Sequence, residues 1–321
     1  MNNQETAPVK TKIYFLGGCG MNIGSVIGNA FPGVDIQYID SSDANVGDQV
    51  DQSKLFRVPG MRGAGSNRRL AYAKAKPHIE PLIAKADPCD FNIVVFSLSG
   101  GTGSAICQLV VGGLLAKEET VVAIGIGSAD NGNAIQHTID TLKTLEATSS
   151  VHRAPIILSY HENASGIPFG QVDDEVFEAI TYLVQLSNQD NHGLDVQDVH
   201  NWANYHKITP LQPSLTALVI HHSRQEAATV MEPLTVLSLY NDRDKANPFG
   251  SPYHSKIAYP RDLSAGLADQ THFITTNKAI EDYFRDLTDK QTSMNRQFNS
   301  FRSRQTLVDA DDAIGSDGFV G

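Results

Sequence analysis

The sequence predicts an α/β protein: a Rossmann-like parallel sheet with helices on both faces, a smaller α+β unit, and one long C-terminal helix. Three observations carry this. Twice a short apolar strand runs into a glycine-rich turn that opens a helix, at Gly17-Gly18-Cys19-Gly20-Met21-Asn22 and at Ser99-Gly100-Gly101-Thr102-Gly103-Ser104. Between residues 214 and 276, four short strand-like runs are separated by a short helical run and proline-rich turns. Asn277 to Arg302 then carries an unbroken stripe of Ile280, Tyr283, Phe284, Leu287, Met294, Phe298 and Phe301 at helical spacing.

Lys12 to Leu16 alternates into an apolar strand, and the first glycine turn opens a helix through about Phe31, stopped by Pro32-Gly33. The strand Val34 to Ile39 ends on Asp40, twenty residues after Gly20, where a dinucleotide-binding unit keeps the acid that holds its ribose. The glycines at 17, 18, 20 and 24 do not spell GxGxxG. A NAD-dependent oxidoreductase built on residues 17–40 is therefore one reading, and a different nucleotide site is the other.

Gly63-Ala64-Gly65-Ser66-Asn67, flanked by Arg62, Arg68 and Arg69, precedes a helix reaching about Ala86. It reads either as a cover for a terminal phosphate or as a solvated loop with surface arginines. Phe91 to Phe96 has the β-branched character of a strand buried on both faces, and Ala105 to Ala116 that of a buried helix. The turn between them aims free backbone N–H groups and the positive end of a helix dipole at one spot, with no Cβ to block an oxygen. An anion belongs there, the alternative being a tight turn that binds nothing.

The strand Val121 to Ile126 leads into a polar turn whose Asp130, Asn131 and Asn133 are candidates for sugar contacts, and a helix follows to about Ala147. After the strand Pro155 to Tyr160, the spacing of Val176, Phe177, Ile180, Leu183 and Val184 predicts a core helix over Asp173 to Asn188. Asn191 to Val199 is a loop entering a helix that carries Trp202. Asp195 and Asp198, three apart, share a face and can jointly orient a water against a phosphate. They equally suit ordinary helix initiation.

Strands are expected over Ser214–His222, Leu234–Tyr240, Tyr253–Tyr259 and Thr271–Thr276, with a short helical run over Gln225–Met231. His221 and His222 point opposite ways on a strand and cannot chelate together. No HExxH or Cys/His cluster appears, so no metal-ligating residue is assigned. With 25 Lys plus Arg against 36 Asp plus Glu, the net charge of -11 argues against direct nucleic-acid binding. Three cysteines without CxxC spacing indicate neither a disulfide framework nor a zinc clamp. No apolar run approaches the ~20 residues of a membrane span, and a cytosolic protein without membrane contact is expected.

The three glycine loops, taken in order, resemble those of the tubulin and FtsZ family, with Ser99 and Ser104 standing where the third loop of its bacterial branch has glycines. The long terminal helix and acidic tail are most similar to the phage-encoded, PhuZ-type branch. The resemblance implies a GTPase that binds GTP/GDP with Mg2+, polymerises head to tail in a host cytoplasm, and positions phage DNA indirectly. It implies nucleotide contacts from Gly17, Gly18, Cys19, Gly20, Asn22 and Asp40, from Gly63, Ala64, Gly65 and Asn67, and from Ser99, Gly100, Gly101, Thr102, Gly103 and Ser104. Asp130 and Asn133 would hold the sugar, although no arginine stands at the matching position, and Asp173 or Asp174 would meet the base, the equal alternative being that both are first-turn acids favoured by the helix dipole. Asp195 and Asp198 match the acids of an Asn-x-Asp-x-x-Asp loop that completes the next subunit's site, with Gly193 in place of the asparagine. The expected division is a GTP-binding domain over 1–170, a central helix and loop over 171–193, an α+β domain over 194–276, the long helix over 277–302 and an acidic tail over 303–321. The small, charged tail is expected to be disordered in the free monomer, the alternative being that Asp309, Asp311 and Asp312 dock on Arg68, Arg69, Lys74 and Lys76 of a neighbour. A nucleotide-binding switch that does not polymerise is a further reading.

Overall fold

The computed structural model describes residues 10–302 apart from 28–29, 32, 45, 66, 88, 188–190, 248 and 261–267. The first half runs β1 (Thr11–Leu16), α1 (Gly17–Ile27), β2 (Asp35–Asp40), β3 (Leu55–Arg57), α2 (Arg68–Lys85), β4 (Phe91–Ser97), α3 (Thr102–Leu115), β5 (Thr120–Ser128) and α4 (Gly132–His152). It continues through β6 (Ile156–Asn163), α5 (Phe169–Ser187), β7 (Asn191–His192), α6 (Val196–Ala203), β8 (Leu215–His221) and α7 (Arg224–Ala227). The last elements are β9 (Pro233–Tyr240), β10 (His254–Pro260), β11 (Gln270–Thr276) and α8 (Asn277–Arg302).

The eleven strands of the described residues form one sheet, in the order β3-β2-β1-β4-β5-β6-β8-β11-β9-β10-β7. From β3 to β8 every pairing is parallel. The strands of the expected α+β unit extend the same sheet, with β11 antiparallel to both β8 and β9. The parallel strands are apolar on both faces, so two layers of helix are needed to keep them dry. Alternation divides the core: Ile13 and Phe15 join α1 and α5 through Ile23, Val176 and Ile180, whereas Tyr14 and Leu16 join α2, α3 and α4 through Ile79, Val110 and Leu142. Trp202 of α6, fully buried, donates its indole N–H to the Phe273 carbonyl at 3.2 Å and ties α6 under β11.

α5 runs antiparallel to β1 along the sheet. Near its start Asp173 lies close enough to Cys19 to act on that thiol, and at its end Ser187 Oγ is 2.8 Å from Thr11 Oγ1 at the beginning of β1. Its 19 residues span about 28 Å. It begins at Phe169, so Asp173 and Asp174 sit in its second turn and are not the dipole-favoured first-turn acids. α1 ends at Ile27, short of Phe31, and already starts at Gly17, so the first glycine turn is the opening of a helix and not a loop before one.

β6 and β8 pair only from Ile156↔Leu215 to Leu158↔Ala217 and then part. The gap is a cavity of about 260 Å³ walled by Ser159, His161, Glu175, Glu178, His222 and Tyr283. His161 Nδ1 lies 3.6 Å from Glu175, and His222 Nε2 3.2 Å from Glu178. His221 turns instead toward Glu226 at 4.0 Å, in keeping with the opposite orientations expected of the pair. The three cysteines are free, and α8 lies over α4 and β8, pinned by Lys290 to Glu162 at 2.6 Å.

Candidate functional site

The C-terminal ends of β1, β2 and β4 converge on a cleft of about 340 Å³. Gly17 takes φ +68°, and a Cβ there would lie 2.6 Å from the amide nitrogen of Gly103. A Cβ on Gly103 would in turn lie 2.8 Å from the Leu16 carbonyl oxygen. These two glycines let the openings of α1 and α3 touch backbone to backbone. Gly20 does the same further down, its Cβ position 2.9 Å from the backbone of Phe15 and Val95.

Hydroxyl groups knit the rest. Ser97 Oγ accepts the N–H groups of Ser99 (3.2 Å) and Gly100 (3.0 Å), curling the turn after β4. Ser104 Oγ donates to the Gly100 carbonyl and accepts from Arg68 Nε at 3.0 Å. Ser41 Oγ meets Thr102 Oγ1 at 2.7 Å, while the Ser41 carbonyl accepts the Gly63 N–H at 2.9 Å. The second and third glycine segments are thereby bonded together through Ser41, and the first is held against the third by the backbone contact of Gly17 with Gly103. α3 has Gly101 as its N-cap and no side-chain cap, so its first N–H groups face the cleft for an anion to satisfy.

Of the residues singled out from sequence, Gly18, Cys19, Asp40, Gly63, Ala64, Gly65, Gly100, Gly101, Thr102 and Gly103 line this cleft, joined by Leu16, Ser42 and Ser97. Gly17, Gly20, Ser99 and Ser104 shape it from behind. Asn22 is exposed on α1, and the Asn67 side chain accepts the Leu70 N–H as the N-cap of α2. Asp130 accepts from Ser128 Oγ at 2.7 Å just ahead of α4, and Asn133 is exposed in the first turn of that helix. Asp173 acts on the Cys19 thiol, which burial pushes up to about 12, so the second turn of α5 and the first loop adjoin; Asp174 is exposed beside it. Ser41, Ser42 and Ser97 were not singled out beforehand. Their signal was a hydroxyl residue at or just past the C-terminal end of a buried strand.

Asp40 is 1% exposed. Its Oδ1 accepts the Ser41 N–H at 2.6 Å, and its buried Oδ2 has no hydrogen-bond partner among the described residues. Burial pushes its carboxyl up, against the pull of the Ser41 and Ser42 amides. Arg68 reaches inward to Ser104 and stands 3.9 Å from Asp140, so it is not the surface arginine its loop implied.

Asp195 and Asp198 lie elsewhere. His200 of α6 meets Thr120, the first residue of β5, at 2.9 Å, which fixes α6 at the N-terminal ends of the parallel strands, opposite the cleft. The two acids form a capping box: Asp195 Oδ1 accepts the Asp198 N–H at 2.8 Å, and Asp198 Oδ2 the Asp195 N–H at 3.4 Å. The helix-initiating role is thus realised, with Asp195 left exposed. Among the described residues no group of three His, Cys, Asp or Glu could hold a metal, and no helix is long and apolar enough to cross a membrane. The tail acids Asp309, Asp311 and Asp312, and the side chains of Phe298 and Phe301, lie outside what is described.

The arrangement of a two-loop backbone junction, a covering third loop and distant acids has matches. The profile described as "Phage tubulin-like protein, C-terminal domain" matches residues 194–280. A phage tubulin-like protein of Pseudomonas phage PhiPA3 is 35% identical over 97% of this chain and 99% of its own. The chain belongs to the phage tubulin-like family. Among solved structures, the phage tubulin PhuZ with GDP superposes with a TM-score of 0.88 at 33% identity, covering 98% of this chain and 100% of that one. A protofilament of TubZ from bacteriophage PhiKZ gives 0.86 at 34% identity, covering 94% and 96%. This phage tubulin-like chain therefore has the tubulin and FtsZ-like fold, and its family membership goes against the oxidoreductase reading of residues 17–40.

Proposed function

We propose that this chain binds GTP in the cleft between its three loops and hydrolyses it where subunits stack head to tail into a filament. The observation that carries the reading is the division of labour across the sheet. The phosphate-cradling backbone lies at one end of the parallel strands, and the exposed Asp195 lies at the other, about the 28 Å length of α5 away. A carboxylate at that distance cannot touch a phosphate in its own cleft, but stacking would carry it to the cleft of the next subunit. There Asp195, supported by Asp198, would orient the attacking water, while the N-terminus of α3 and the loop amides stabilise charge on the phosphate oxygens. The base would lie toward Asp173 and Asp174 and the sugar toward Asp130 and Asn133.

Magnesium keeps most of its waters and takes one or two protein carboxylates beside substrate phosphates. The unpartnered, buried Oδ2 of Asp40 in the cleft wall fits that demand. Bound with the nucleotide, the ion would neutralise phosphate charge. The GDP-bound PhuZ and the TubZ protofilament support both halves of the proposal by likeness. The filament would act in the host cytoplasm, positioning phage DNA without touching it, in keeping with the net charge of -11.

The test is negative-stain microscopy of the purified protein with GTP, GDP and NAD in parallel, with phosphate release followed on the same samples. Filaments with GTP, and release that rises more steeply than in proportion to protein concentration, are expected. GTP binding without assembly would favour the non-polymerising switch, and turnover by dilute monomer would remove the stacked site.

A further inference from the structure

The loop that carries Asp195 is clamped to β10 at three points. β7 pairs with β10 through Tyr259↔His192 and Pro260↔Asn191. Next, Gly193 at φ +111° is pressed so close that a Cβ would lie 2.5 Å from the Ile257 carbonyl oxygen. No side chain can stand at 193, so the loop presents no polar group there. The third clamp is Lys256, whose Nζ is 3.2 Å from Asp198 Oδ1. The Asp198 side chain is 14% exposed, and that of Lys256 47%. Asp198 is thus held from two sides, by Lys256 through Oδ1 and by the Asp195 backbone N–H through Oδ2.

We propose that Lys256 is a positioning residue for GTP hydrolysis at the subunit interface. Its ammonium fixes the rotamer of Asp198, Asp198 closes the capping box, and the box sets the direction in which Asp195 leaves the surface. The same charge also offsets one of two carboxylates that must approach an anionic nucleotide, a juxtaposition that would otherwise be repulsive. The role rests on the stacked-site reading above. Lys256 sits at the end of the molecule away from the chain's own cleft, so it acts on the neighbour's nucleotide and not on binding of its own.

The experiment measures GTP turnover per pelleted subunit, against GTP concentration, for wild type, Lys256→Met, Lys256→Arg and Asp195→Asn, each checked for unchanged melting temperature. Lys256→Met is expected to lower kcat by about tenfold or more, since a misplacement of an ångström can cost that much. Its KM for GTP and its pelleting should match wild type, and Lys256→Arg should restore most of the rate. A Lys256→Met rate within twofold of wild type, while Asp195→Asn is inactive, overturns the role of Lys256 alone. Equal loss in Lys256→Met and Lys256→Arg overturns it too, because charge is then not what matters. Failure of Lys256→Met to pellet would make the residue an assembly contact and likewise overturn the proposal. Full turnover by Asp195→Asn would instead sink the stacked site itself.

Discussion

Gly17 and Gly103 meet backbone to backbone, with room for no Cβ between them: one on Gly17 would lie 2.6 Å from the Gly103 nitrogen. This contact joins the openings of α1 and α3 and sets the floor of the cleft. An alanine at 17 would add a clash to a left-handed backbone, a strain of about 1 to 3 kcal/mol before any repacking. Gly101 differs, because its φ of -80° and ψ of -58° are ordinary for any residue. Gly101→Val should therefore fold normally yet fill phosphate space, lowering GTP affinity by at least about 100-fold, or ~2.7 kcal/mol. Calorimetry on the folded variant decides it: wild-type affinity would place the phosphates elsewhere.

Asp195 serves both as N-cap and, under the proposal, as the group that meets the next subunit's nucleotide, and two substitutions separate these. Asp195→Ala loses the cap and should cost about 1 kcal/mol of stability, whereas asparagine caps as well as aspartate. Both should assemble with GTP and lose turnover, giving filaments that persist. Rapid phosphate release from Asp195→Asn filaments would assign the residue to helix initiation only.

His272 is buried in β11, its Nδ1 2.8 Å from Ser238 Oγ. Its pKa is lowered to about 4 by burial first, then by Arg224, His221 and His222. Because the folded value lies below the ordinary 6.5, the native state favours the neutral ring. Stability tied to His272 is present above pH 6.5 and is lost as pH falls toward about 4. Replacing it with glutamine should flatten that part of the profile. Urea melts between pH 7 and 4.5 with the same slope for both proteins would contradict this.

Ending the chain after Arg304 should leave a folded, GTP-binding monomer whose critical concentration for assembly rises more than tenfold. The acids removed would otherwise face basic groups on a neighbour. Since Arg68 is engaged with Ser104, the candidates narrow to Arg69, Lys74 and Lys76. Each exposed pair contributes only ~0.2 to 1 kcal/mol, so several must act together, and salt should weaken them. Sedimentation at matched GTP and salt is the measurement, and equal polymer yields would remove the tail from assembly.

Much of the fold was legible because β1, β4 and β5 are buried on both faces and are dominated by apolar, β-branched residues. The glycines at 17 and 103 were expected to leave room for an anion, and in the structure they also let the openings of α1 and α3 meet backbone to backbone, a contact between distant segments that neither loop announces. Other features escaped. β3, three residues long, and β7, two, carry too few side chains to show a period. The continuity of the sheet through β6 and β8 is a long-range pairing that no local pattern encodes. The inward turn of Arg68 depends on Ser104, which reads as part of another loop, and the demand for glycine at 193 depends on Ile257, 64 residues on.

The short seam between β6 and β8 gives the molecule a mechanical grain. β4 and β5 are laced from Phe91↔Thr120 to Ser97↔Ile126, whereas β6 and β8 share only the stretch from Ile156↔Leu215 to Leu158↔Ala217. Each half of the sheet is stiff, and compliance concentrates along this line, where few backbone bonds must open. Glu175 and Glu178, adjacent on one face of α5, splint it by reaching His161 on one side and His222 on the other. Under a load applied at the α6 end, the sheet is therefore expected to yield between β6 and β8 before it yields within either flank.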